Sequence, residues 1–208
     1  MRHMNDTISA ISGPTIANYA GRALDFWEGT RDHDVSQNMN ALLEAISTPK
    51  AATILDFGCG PGRDLAAFTA RGHHAIGLDG CLEFCTMARA HSGCEVWEQN
   101  FLNLDLPEEK FDGVFANASL FHVPSGHLEE VLEKLYRTLK PGGVLFSSNP
   151  RGPDQEGWNG DRYGRYHSLE GWTRFTTTAG FEAIRHYYRP DGLPREEQPW
   201  LASLWRRL

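Results

Sequence analysis

Apolar positions along this chain follow two rhythms. Short continuous runs are Thr53-Ile54-Leu55-Asp56-Phe57, His74-Ala75-Ile76-Gly77-Leu78-Asp79, Glu95 to Gln99, Phe111 to Asn117, and Val144-Leu145-Phe146-Ser147-Ser148. Runs of this length and composition predict strands buried on both faces. Between them apolar residues recur at helical spacing: Val35, Met39, Leu42, Leu43 and Ile46; Leu65 and Phe68; a segment from Leu82 to His91; and Leu128, Val131, Leu132, Leu135 and Leu139. Each helical stretch ends on a breaker. Pro49 biases the residue before it away from helix, Gly72 and Gly93 suit a left-handed cap, and Lys140-Pro141-Gly142-Gly143 stops the fourth. Ser125 is placed to cap that fourth helix at its start. Ser168 begins a last helix ending near Gly180. Phe181–Tyr188 and Trp200–Trp205 then read as two strands with no helix between them, which makes them antiparallel to each other. Strands alternating with helices predict one sheet of seven strands, helices on both faces, and an antiparallel pair at one edge.

Three stretches lie outside this rhythm. Residues 1–12 read as a flexible tail, and 13–50 as a helical cover over a single domain spanning 13–208. The Gly- and Arg-rich stretch 149–167 reads as a long loop, of a length usually reserved for function or disorder.

Composition narrows the function. A chain of 208 residues with formal charge −7 is long enough for one sizeable core. Its charge argues against non-specific nucleic-acid binding, which needs a basic face. No apolar run is long enough to cross a membrane, and the N-terminus lacks the basic-then-apolar order of a signal peptide. Cys59, Cys81, Cys85 and Cys94 form no paired C-x-x-C pattern, so they are read as reduced thiols packed as small hydrophobes, with no metal site. The expected location is cytoplasmic. Oligomeric state leaves no signature.

The chemistry centres on Asp56-Phe57-Gly58-Cys59-Gly60-Pro61-Gly62-Arg63-Asp64. A strand ends in an acid, glycines follow at alternate positions, and a helix begins at once. Such a turn brings backbone close to a ligand at the carboxyl edge of an α/β sheet. The spacing fails the dinucleotide pattern G-x-G-x-x-G at its third glycine. The order D-x-G-x-G-x-G resembles instead the first motif of class I S-adenosylmethionine-dependent methyltransferases. Three further pieces follow in order: the acid Asp79, the strand Phe111-Asp112-Gly113-Val114 running into Asn117, and Leu139-Lys140-Pro141-Gly142-Gly143. The resemblance, to the small-molecule members of that family, covers Ile54 to Trp205 and implies a Rossmann-like fold with S-adenosylmethionine as cofactor. It also implies roles. Asp56, Gly58, Gly60 and Gly62 would hold the methionine end, Asp79 the ribose hydroxyls, Asn100 and Phe101 the adenine, and Asn117 the amine or the methyl. Gly62 read alone could be only a turn, and Asp79 only a helix cap. Arg31 is the candidate fork for the cofactor carboxylate; its other reading is a surface pair with Asp32 or Asp34.

Methyl transfer asks the protein for orientation, desolvation and sometimes a base. His122, just after the fourth strand, and His33 are the candidate bases, although His122 between Phe121 and Val123 could equally be structural. Arginines interleaved with aromatics in 149–167 suggest a small anionic substrate, with Arg151, Arg162 and Tyr163 as contacts. The alternative is a solvated loop whose arginines pair with Asp154, Glu156 and Asp161. Trp27 and Tyr19 either close over the site or pack the N-terminal helix, and Trp27 is assigned to the substrate side. The expected activity is methyl transfer from S-adenosylmethionine to a small anionic acceptor. The alternatives are a non-catalytic S-adenosylmethionine-binding protein and an NAD-dependent oxidoreductase. No motif says whether oxygen, nitrogen or sulfur is methylated.

Overall fold

The strands expected from the apolar runs assemble in the computed structural model as β1 (Thr53–Phe57), β2 (His74–Asp79), β3 (Val96–Glu98), β4 (Phe111–Asn117) and β5 (Leu139–Pro150), followed by β8 (Phe181–Arg189) and β9 (Trp200–Arg207). The structure describes residues 2–47 and 51–208, with side chains from residue 10 onward. One sheet runs β3-β2-β1-β4-β5-β9-β8. The first five strands are parallel, β9 is antiparallel to β5, and β8 pairs antiparallel with β9 at the edge. The expected seven-stranded sheet with its antiparallel edge pair is therefore present.

Alternation along each strand sends neighbouring residues to opposite faces. Ile54, Phe115, Phe146 and Leu204 face α3 (Ser36–Ala45), α4 (Arg63–Ala70) and α5 (Leu82–Ser92), where Met39, Leu42, Leu65, Phe68 and Ala88 meet them. Leu55, Val114, Leu145 and Leu201 face α6 (Ser125–Thr138) and α7 (Leu169–Thr178), against Leu128, Leu132, Leu135 and Trp172. The two cores explain why the strands carry apolar residues almost continuously. On the second face, Ser203 satisfies two buried indoles, accepting from Trp172 Nε1 at 3.0 Å and Trp205 Nε1 at 2.8 Å.

Three expectations need correction. Residues 149–167 are no open loop: β6 (Gln155–Asn159) and β7 (Arg162–Tyr166) form a hairpin closed by Gly160-Asp161. Gly160 has φ +60°, and glycine at the first central position is a two-residue hairpin signal. The hairpin packs no continuous apolar face, so hydrophobic periodicity did not reveal it. Ser125 is the first residue of α6 rather than its cap, and its hydroxyl donates to Glu156 Oε1 at 2.6 Å, tying the hairpin down. The segment expected as a tail is helical, within α1 (Arg2–Ala20). Next comes α2 (Ala23–Thr30), and the two helices pack Ile16, Tyr19 and Phe26 against Phe84. The helix stop expected at Thr48-Pro49 lies outside the described residues.

Candidate functional site

Strand order reverses between β1 and β4, and ligands of open α/β sheets bind beyond the carboxyl ends at such a switch point. A cavity of about 670 Å³ lies there, within the usual size of small-molecule sites. Its floor is the glycine turn after β1, Asp79 at the end of β2, Asn117 at the end of β4 and Ser148 on β5. Its roof is Thr15, Ile16 and Tyr19 of α1, Phe26, Trp27 and Thr30 of α2, and His33 beyond.

The glycines divide the work. Gly58 (φ +78°) passes so close to Ser119 that an added Cβ would lie 2.3 Å from the Ser119 Cβ. Ser119 in turn donates to the Phe57 carbonyl at 2.6 Å, so this crossing holds the ends of β1 and β4 together. Gly60 (φ +52°) opens onto the cavity, with only Phe26 within 4 Å of an added Cβ. Gly62 (φ +93°) is absent from the cavity wall; an added Cβ there would lie 2.7 Å from Ala88 Cα. Its place is the packing of α4 on α5.

Asp79 lies on the wall and accepts from the Gly60 N–H at 3.0 Å and the Cys81 N–H at 2.9 Å. Burial raises its carboxyl to about 6, against the pull of these N–H groups. Asp56 sits behind the glycine turn, 1 % exposed and off the wall. Burial and then the neighbouring Asp64 push its carboxyl well above the ordinary carboxylate range. Asn117 is fixed from below: Asn38 Nδ2 donates to its Oδ1 at 3.0 Å, and Tyr187 donates to Asn38 Oδ1 at 2.9 Å. Asn100 and Phe101 line the cavity. The Asn100 oxygen already accepts from the Leu102 N–H at 2.9 Å, and Phe101 packs on Phe57 with ring centroids 4.4 Å apart.

His122 is where the sequence placed it, but it does not face the cavity alone. Its Nδ1 lies 2.6 Å from the Tyr163 carbonyl oxygen, which can only accept, so Nδ1 carries the proton. Its Nε2 lies 2.9 Å from the Tyr19 hydroxyl and must accept from it. Burial first, opposed by the bond to Tyr163 and helped by the charge of Arg162, lowers His122 to about 4. The neutral ring thereby fixes the direction of the Tyr19 hydroxyl proton. Tyr19 was hard to assign from sequence because its partner lies 103 residues away.

The remaining candidates separate cleanly. His33, Trp27 and Arg162 line the cavity. Arg31 does not; it pairs on the surface with Glu28 at 3.1 Å and Asp32 at 3.5 Å. Arg151 also points elsewhere, donating to the Arg195 carbonyl at 2.7 Å and lying 5.6 Å from the Tyr188 ring centroid. Tyr163 contributes backbone only: its carbonyl faces His122 and its N–H donates to Thr15. Sequence reading passed over Arg63, Asp64 and Arg189, all on the wall. Among the described residues all four cysteines are free and no group of metal-binding side chains gathers.

These residues fit S-adenosylmethionine. The cavity offers a carboxylate at the end of β2 for ribose hydroxyls and a turn whose Gly60 admits close approach. The aromatic residue Phe101 lies beside Asn100, and acidic groups suit a cationic ligand.

Residues 54–143 match the family model described as a methyltransferase domain. The chain is 35% identical over 116 residues to trans-aconitate 2-methyltransferase of Azoarcus sp., covering 55% of this chain and 45% of that protein. It is 30% identical over 145 residues to malonyl-[acyl-carrier protein] O-methyltransferase of Salmonella typhimurium, covering 66% and 54%. The chain thus spans about half the length of these curated relatives. Among solved structures, the Burkholderia thailandensis 1,6-didemethyltoxoflavin-N1-methyltransferase with bound 1,6-didemethyltoxoflavin and S-adenosylhomocysteine superposes with TM-score 0.78 at 20% identity, over 94% of this chain and 88% of that one. The matched stretch begins in β1 and ends just before the apolar core of β5, taking in the glycine turn, Asp79 and Asn117. Residues 54–143 thus resemble a methyltransferase domain, and the fold is the one seen in solved S-adenosylmethionine-dependent methyltransferases.

Proposed function

We propose that this protein methylates a small anionic acceptor whose nucleophilic atom carries a hydrogen, with S-adenosylmethionine as methyl donor. When bound, the cofactor supplies an electrophilic methyl group on a sulfonium; the chain's own residues hold, orient and exclude water. The observation that carries the reading is on the cavity wall, where Arg162 stands 5.8 Å from the Tyr19 ring centroid beside the Tyr19–His122 pair. Arg189 supplies a second cation on the wall. Both guanidiniums suit a carboxylate. The curated relatives named for trans-aconitate and malonyl-[acyl-carrier protein] support acidic acceptors.

Tyr19 gives the acceptor its orientation. Its proton is committed to His122 Nε2, so toward the cavity its oxygen receives hydrogen bonds. An N–H or O–H of the acceptor would be held there with its lone pair free for attack. Tyr19→Phe is expected to lower kcat by about 10- to 100-fold, with S-adenosylhomocysteine affinity unchanged in calorimetry. Equal loss of cofactor affinity would assign Tyr19 to the cofactor instead.

A metabolite screen by release of S-adenosylhomocysteine tests the substrate class. Arg162→Ala is expected to raise KM for anionic acceptors by about 10-fold or more, one charge-assisted bond being lost. A set of accepted compounds that is wholly neutral or cationic, with KM indifferent to Arg162→Ala, would refute an anionic acceptor and leave methyl transfer standing.

A further inference from the structure

Two acidic side chains stand on the cavity wall, and one of them, Asp79, is engaged by the backbone of the glycine turn and of Cys81. The other, Asp64, is held by its neighbour. Arg63 Nε donates to Asp64 Oδ1 at 2.7 Å and Arg63 Nη2 to Asp64 Oδ2 at 3.0 Å, while Arg63 Nη1 donates to the Thr30 carbonyl at 2.8 Å. A guanidinium has five N–H donors, so two remain, one on each terminal nitrogen. Among the described residues the Asp64 oxygens otherwise receive only a long bond of 3.4 Å from Asn117 Nδ2, which leaves lone pairs to spare. An anchored cation and anion thus lie side by side at the glycine turn, where the side chains are 23% and 10% exposed. That arrangement is the charge complement of an α-amino acid.

Resting on the S-adenosylmethionine reading above, we propose that the Arg63–Asp64 pair holds the amino-acid end of the cofactor, Arg63 receiving its carboxylate and Asp64 its ammonium. Two side chains expected at that end stand off the wall: Arg31 pairs on the surface and Asp56 lies behind the glycine turn. The bond from Arg63 to the last residue of α2 adds a consequence. A ligand that orders the guanidinium also seats α2, and with it Phe26 and Trp27, over the cavity.

Calorimetric titration of the full chain with S-adenosylhomocysteine, its decarboxylated and deaminated analogues, and 5′-methylthioadenosine tests this assignment without turnover. Arg63→Ala is expected to weaken S-adenosylhomocysteine and the deaminated analogue by about 10- to 100-fold, leaving the decarboxylated analogue and 5′-methylthioadenosine unchanged. Asp64→Asn should show the converse, weakening ligands that keep the ammonium. Arg31→Ala should change none. Should Arg63→Ala fail to fold by circular dichroism, Arg63→Lys, which keeps the charge but loses the fork, is expected to give the same ligand pattern at smaller amplitude. Unchanged S-adenosylhomocysteine affinity in a folded Arg63 variant overturns the inference, as does an equal loss for all four ligands. If the wild-type protein binds neither S-adenosylhomocysteine nor 5′-methylthioadenosine, the cofactor reading itself falls, a result distinct from either.

Discussion

Asp79→Ala is expected to reduce S-adenosylhomocysteine affinity by about 10²- to 10⁴-fold. Two ribose hydroxyls donating to a charged acceptor contribute about 1.5–3 kcal/mol each. The carboxylate also receives the Gly60 and Cys81 N–H groups, so its loss leaves two backbone donors unpaired and loosens the turn that the ligand meets. Retained affinity in a folded variant would rule out the ribose role. Acidity offers a second test. The Asp79 carboxyl titrates at about 6 in the folded chain, and ribose hydroxyls bond its ionised form. Affinity should therefore be full above pH 6 and fall by up to tenfold per unit below it, and Asp79→Asn should flatten that dependence. Stability carries mixed signs here. Because the folded Asp79 binds its proton more tightly than an unfolded carboxylate, its contribution favours the fold at acid pH and is lost as pH rises through 6. His122, lowered to about 4, contributes stability above the ordinary histidine range that is lost as pH falls toward 4. Ligand affinity, rather than melting temperature, is thus the readout that isolates Asp79.

Gly62→Ala should destabilise the protein by about 2–5 kcal/mol. At φ +93° the backbone is left-handed, which costs a residue with a side chain about 1–2 kcal/mol. The new Cβ would meet Ala88 Cα at 2.7 Å, and neither backbone can yield without separating α4 from α5, an overpacking cost of about 1–3 kcal/mol. Gly142→Ala is the control. Its φ is +79° with nothing within 4 Å of an added Cβ, so only the conformational cost applies. Urea unfolding of the pair checks the difference. Equal midpoints would show that the helices adjust without cost, and that Gly62 serves only its turn.

The parallel strands and their helices were legible in the chain because burial on both faces writes itself as continuous apolar runs, and helices as apolar stripes. The glycine turn, the acid Asp79 and the strand end at Asn117 were legible for a related reason. Each lies within a few residues of the element that positions it, so local spacing carries the geometry. The cavity at the carboxyl edge of the sheet was predictable on the same grounds.

What the sequence could not decide was which charged side chains face the cavity. Arg31 and Arg63 are both plausible forks for a carboxylate, but Arg31 points outward to Glu28 and Asp32 while Arg63 opens the helix after the glycine turn. Asp56 and Asp64 flank that turn, and only the fold shows one behind the wall and the other on it. In the same way Arg162 reaches the cavity and Arg151 does not, because a two-residue turn folds β6 and β7 into a hairpin beside His122. The pairing of Tyr19 with His122 joins the first helix to the end of the fourth strand, and so required the whole chain to be folded. Main-chain elements answer to the pattern of their own neighbours along the chain. Side-chain direction at a crevice answers to residues that only packing brings close.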